Sequence, residues 1–117
     1  MSGPAGDTAR DALRSQQAHA PHLLDVEATS AIRRWVLSGR LTVDEGRASL
    51  RDLRDLAIAR HAHDPLLDRA LDLRDSVSAY DAVYVALAEL LGAPLLTADL
   101  RLARAPGVRC AVVPTSS

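Results

Sequence analysis

The chain has one cysteine, no lysine and no phenylalanine among its 117 residues, and each shortage removes a class of function. A single thiol, Cys110, forms neither an internal disulfide nor a thiolate metal cluster, so a reducing cytoplasm is the expected compartment. Cys110 itself reads as a small buried apolar residue. A P-loop NTPase needs its lysine and is excluded, and a receiver-type phosphoacceptor domain is disfavoured for the same reason. With 3% aromatic residues there are too few rings for a platform that stacks single-stranded bases. No apolar run approaches the length of a membrane span, and no charged start followed by an apolar stretch suggests a secretory leader. The net charge of −1 supplies no overall field for attracting nucleic acid. All the cations are arginine, whose planar fork suits phosphate, but an arginine- and alanine-rich composition also follows from GC-rich codon usage.

What is present is an ordinary globular balance, 48% hydrophobic and 25% charged, enough for one domain over residues 1–117 with residues 1–6 frayed. Residues 7–16 read as a short polar helix capped by Asp7, and AHAPHL (18–23) as a strand limited by Pro21. Residues 23–39 carry apolar positions at helical spacing and stop at Gly39; residues 42–56 begin with Thr42 as a cap and acids in the first turn. AIARH (57–61) is a short strand. Asp64 and Pro65 open a helix over 64–76, a further helix runs from 79 to 91 and ends at Gly92, and APLLTAD (93–99) returns to strand. A short helix over 100–107 and a final strand, VRCAVV (108–113), close the chain. Helices alternating with short apolar strands predict an α/β fold with a parallel sheet covered on its faces.

Most of the fifteen acids are solvated faces, caps or ion-pair partners. Three call for more. Glu27 falls within the apolar arc of its helix, between Leu23 and Ala31, where an unpaired carboxylate costs several kcal/mol; the alternative is an edge position reaching solvent or an arginine. Asp81 fits a capping box with Ser78, yet the helix behind it is apolar from Ala82 to Ala88 and so reads as a central element. Asp99 follows a strand and precedes a helix, where open α/β sheets place their ligand crevices, with Thr97 two residues before it; a plain N-cap is again the local alternative. Three carboxylates converging on one pocket would repel unless a hard cation such as Mg²⁺ or Mn²⁺ held them, and such an ion activates water for phosphodiester hydrolysis.

The segments HLLDVEATSAIRR, SVSAYDAVYVALAELLGAPLLTAD and LRLARAPGVRCAVV resemble the PIN-domain family, and more narrowly the VapC-type ribonuclease toxins of bacterial toxin–antitoxin pairs. YDAVYVALA followed by LLTAD is the most specific part. The resemblance implies a three-layer α/β/α sandwich with a short parallel sheet and a Mg²⁺-dependent endoribonuclease, Mn²⁺ being an alternative ion. It also implies an RNA substrate, a cognate antitoxin that blocks the site, and a homodimer or toxin–antitoxin hetero-oligomer. Carried over by position, Glu27, Asp81 and Asp99 would be the catalytic metal ligands, supported by Thr97; Asp25 is a first-turn acid outside the motif. Members of the family open with an apolar strand bearing a first acid, in a pattern such as Val-Val-Asp-x-Ser. Nothing here matches it, and neither Asp7 nor Asp11 ends an apolar run. The first central strand is therefore expected to be missing, leaving two neighbours without a shared partner. Either coding begins upstream and the protein is an ordinary active toxin, or the chain is a truncated, weakly active or inactive module that still binds an antitoxin.

The remaining features point to packing or surface. His61 and His63 could share one face of a strand as a metal pair, but a loop or exposed strand end is the simpler reading, as it is for His19 and His22. Trp35, Tyr80 and Tyr84 are expected in the core or half-buried. Val43, Leu50, Leu53 and Leu56 suit either a partner chain or ordinary core packing.

Overall fold

A computed structural model describes residues 17–97 and 101–115. The frayed start over 1–6, the helix over 7–16 with its Asp7 cap, the rejected candidate Asp11, and Asp99 lie outside the described residues. Within them the chain runs β1 (Ala18–Pro21), α1 (Leu23–Leu37), α2 (Val43–Asp55), β2 (Ile58–His61), a 3₁₀ turn (Asp64–Leu66), α3 (Leu67–Asp72), α4 (Ala79–Leu91), β3 (Leu95–Thr97), α5 (Arg101–Arg104) and β4 (Val112–Pro114). The order of helices and strands follows the sequence reading. The last strand is shorter and later than expected, because residues 108–111 form a bend that leads into it.

The termini of the helices follow local chemistry. At the start of α2, Thr42 and Glu45 close a full capping box, the Glu45 N–H donating to Thr42 Oγ1 at 3.0 Å and the Thr42 N–H to Glu45 Oε1 at 2.8 Å. α4 ends on Gly92 at φ 63°, where a residue without Cβ turns the chain out of the helix at no steric cost. Gly46 is helical and buried, and serves close approach instead: a Cβ there would lie 3.1 Å from Ile32 Cγ2 and 3.2 Å from Val36 Cγ2. Its missing side chain is what lets α1 and α2 pack together.

The core gathers on α4. Ala82, Val83, Val85, Ala86, Leu87 and Ala88 are all buried, and Leu66, Ala70, Leu73, Leu95 and Leu102 complete the cluster around them. Half-buried Cys110 packs against this cluster, and burial pushes its thiol above the usual range, which suits an inert apolar role. A polar hub ties α3, α4 and the approach to β4 together. Arg69 Nε donates to Glu89 Oε1 at 2.7 Å, the Arg109 N–H donates to Glu89 Oε2 at 2.8 Å, and Arg69 also donates to the Gly107 carbonyl. The Arg69 guanidinium holds the Glu89 carboxyl below its ordinary value.

The strands are parallel, as expected, but they form two separate pairs. β1 pairs with β2 from Ala18↔Ile58 to Pro21↔His61, and β3 with β4 from Leu95↔Val112 to Thr97↔Pro114. Among the described residues no strand joins the two pairs. Between β1 and β3 runs an apolar groove of about 350 Å³, lined by Ala18, Ala20, Leu24, Leu87, Leu95 and Leu96. α4 forms its floor and touches both strands, which keeps the two pairs in one body.

Candidate active site

Asp81 is positioned by the strongest element of the fold. Ser78 adopts extended backbone at the N-cap and its Oγ accepts from the Asp81 N–H at 3.2 Å. Only this half of the expected capping box forms. The Asp81 carboxylate has no hydrogen-bond or ion-pair partner among the described residues. It is half-buried and opens into a recess of about 360 Å³ that it shares with Ser76, Val77, Ser78, Arg101 and Leu102.

Glu27 takes the solvent-reaching alternative. It is exposed, and no residue of α1 is fully buried. The arc is half-buried: Leu23 packs against the core cluster, Leu24 lines the groove, and Ile32 and Val36 meet Gly46, while Trp35 stays 47% exposed. No cost of burying the Glu27 carboxylate therefore arises. Instead Glu27 Oε1 accepts from the Tyr84 hydroxyl at 2.6 Å. Tyr84 stands one turn beyond Asp81 on α4, so the two project from the same face. Burial raises the Tyr84 phenol well above its ordinary range, reinforced by the hydrogen bond to Glu27 and by the charges of Glu27, Asp81 and Asp25. Tyr84 thus ties Glu27 of α1 to the helix that carries Asp81.

α1 owes its placement to polar contacts at its first turn. Asp25 forms a bidentate pair with Arg60 of β2, with Nε–Oδ2 at 3.0 Å and Nη2–Oδ1 at 3.1 Å, and Arg60 also donates to the Leu53 carbonyl at the end of α2. The Leu23 N–H donates to His63 Nε2 at 2.9 Å, an imidazole closing the open end of the helix. Asp25 is a first-turn acid, as expected, and it anchors the helix to β2.

Thr97 lies at the end of β3 and is half-buried. Asp99, beyond it, is outside the described residues. Among those residues no three His, Cys, Asp or Glu side chains come together as a metal-holding group; Glu27 and Asp81 supply the hard oxygen donors that Mg²⁺ or Mn²⁺ takes.

Sequence reasoning missed the role of Tyr84, although its spacing of three from Asp81 was a signal, and it did not single out Arg101 as the arginine beside Asp81. Tyr84 is half-buried as expected, whereas Tyr80, at 64% exposure, and Trp35 are not, because both lie on outward helix faces. His61 does not pair with His63: it faces His19, while His63 turns to α1. Val43 and Leu56, at the two ends of α2, are exposed, and Leu50 and Leu53 half-buried. None of the helices in the described residues is long and apolar enough to cross a membrane.

Comparison with known proteins agrees with this architecture. The PIN-domain family profile matches residues 2–108. Ribonuclease VapC1 of Mycobacterium tuberculosis is 44% identical over 111 residues, covering 94% of this chain and 84% of that protein. Ribonuclease VapC9 of the same organism is 41% identical over 104 residues, covering 89% and 82%, and Ribonuclease VapC12 is 38% identical over 107 residues, covering 92% and 83%. A parallel α/β arrangement with an acid at the N-terminus of its buried helix, matched by relatives this similar over most of their length, places the chain in the PIN-domain family, among the VapC-type ribonucleases.

Proposed function

We propose that the protein is an endoribonuclease toxin of a toxin–antitoxin pair, hydrolysing RNA phosphodiester bonds at the recess beside Asp81. The observation that carries this reading is the hydrogen bond to Glu27 of α1 from Tyr84, which lies one turn beyond Asp81 on α4 and so links two helices far apart in sequence. The kinship with proteins named ribonucleases supports the reaction class.

Glu27, Asp81 and Asp99 would hold a Mg²⁺ or Mn²⁺ ion, with Thr97 as a supporting hydroxyl. Such an ion, when bound, supplies activation of water and stabilisation of the charge that develops on the phosphate. The chain's own part is positioning. Tyr84 donates to Glu27 and fixes which way that carboxylate faces. Burial of α4 fixes Asp81. Arg101, on the wall of the same recess, offers a guanidinium for an RNA phosphate. A cognate antitoxin would act by covering this recess.

Cleavage of single-stranded RNA is expected to require Mg²⁺ or Mn²⁺ and to fall by roughly a hundred-fold or more in Asp81→Asn, about 2.7 kcal/mol of transition-state stabilisation. Metal-independent cleavage, or an unchanged rate in that variant, overturns the reading. The open groove between β1 and β3 favours one second reading, a weakly active or inactive module that binds the antitoxin. It is distinguished by capture of the co-encoded antitoxin without RNA cleavage.

A further inference from the structure

All four histidines of the chain meet at the β1–β2 pair and its exits, although the sequence places them in two groups about forty residues apart. The parallel register sets His19 opposite Ala59 and Pro21 opposite His61. Side chains alternate between faces along a strand, so His19 and His61 are diagonal neighbours on one face of the pair. Ile58 and Arg60 lie on the other face, where Arg60 reaches α1 and α2. His19 is exposed and His61 half-buried. His19 Nδ1 stands 2.9 Å from His61 Nε2, with ring centroids 5.1 Å apart and planes tilted by 41°.

We infer that His19 and His61 form a binding site for a borderline transition-metal ion of the Zn²⁺, Ni²⁺ or Cu²⁺ class, separate from the carboxylate site. The spacing is that of neighbouring ligands. With metal–nitrogen bonds of about 2.0–2.1 Å, two nitrogens stand about 2.9 Å apart at a right angle and about 3.4 Å apart at the tetrahedral angle. Imidazole nitrogen selects these metals over Mg²⁺, which prefers oxygen. In the metal-free protein one facing nitrogen must carry a proton and the other accept it. On binding, that proton moves through solvent to the other nitrogen of its own ring, so both lone pairs become available with no net proton released from two neutral rings. Each ring must also turn so that the lone pairs converge off the line between them, a motion the exposed His19 permits. Among the described residues no third His, Cys or carboxylate completes a larger group, so water fills the remaining positions. His63 is committed to the Leu23 N–H and does not join. His19 also lines the rim of the groove, so a bound ion would clasp β1 to β2 along that rim.

The test is calorimetric titration of Zn²⁺ into tag-free, chelator-stripped protein in excess Mg²⁺, followed by thermal melting with and without Zn²⁺. One equivalent should bind, and Zn²⁺ should raise the melting temperature. His19→Ala and His61→Gln should each weaken binding by about ten-fold or more, since loss of a ligand costs at least what loss of its outer-shell partner does. Asp81→Asn should bind Zn²⁺ as the parent does. Absence of binding to the parent protein overturns the site, as does unchanged affinity in both histidine variants or loss of binding in Asp81→Asn. Circular dichroism of each variant guards against misfolding, and His19→Ala, which alters an exposed side chain, keeps the test decisive.

Discussion

α1 and α4 each carry one candidate acid, and the two helices hold it by opposite means. α4 is buried along most of its length, and Asp81 inherits its position from the packing of Val85, Leu87 and their neighbours. α1 buries no residue, and Glu27 is placed by a set of polar contacts: Asp25 with Arg60, Leu23 with His63, and Glu27 itself with Tyr84. One half of the candidate site is therefore rigid for reasons of apolar burial, and the other is held by hydrogen bonds near the surface. Apolar packing is non-directional but cooperative. Hydrogen bonds are directional and individually modest.

The contrast can be broken at its strongest point first. Leu87→Ala on α4 should cost about 2–5 kcal/mol by chemical denaturation, while the matching truncation on α1, Val26→Ala, should stay within about 0.5 kcal/mol. Similar losses in the two variants would erase the distinction between the helices.

Acid titration gives a smaller effect at the far end of α4. The folded-state value of the Glu89 carboxyl is depressed by Arg69. Its contribution to stability is thus fully present above the ordinary carboxylate value of 4.5 that the unfolded chain shows, and is lost as the pH falls through the lower folded value. Urea midpoints followed from pH 7 down to about pH 3 should decline in that window, and Glu89→Gln should flatten the decline while costing about 1.5–3 kcal/mol at neutral pH. An unchanged acid slope in the variant would remove the hub from the account of α4.

The smallest effect belongs to the link between the helices. Tyr84→Phe removes the hydroxyl that holds Glu27 and should destabilise by about 0.5–1.5 kcal/mol. RNA cleavage should fall further than that loss of stability alone explains, through the freed carboxylate. If cleavage is untouched while Asp81→Asn abolishes it, Glu27 does not belong to the working site.

How much of this was legible in the sequence differs element by element. The extent of α4 was, because Ser78, an unbroken apolar run and Gly92 agree with one another. Asp25 was read as a first-turn acid outside the motif, and its anchoring role was not legible because its partner Arg60 lies thirty-five residues away. For Glu27 the sequence left a core-facing and a solvent-reaching edge position open, and the structure shows it exposed. Helical periodicity reports which face is apolar and not how deeply it is covered, and the arc of α1 is only half-buried.

By itself the sequence determined the α/β alternation, the helix caps, the central standing of α4 and the family, because these rest on local chemistry and on motifs a few residues long. Only the tertiary structure decided that the strands form two pairs flanking an apolar groove. It alone brought Glu27 to Tyr84 and His19 to His61, and left the Asp81 carboxylate facing a recess. Each of these depends on contacts between segments distant in the chain, which neither spacing nor composition encodes.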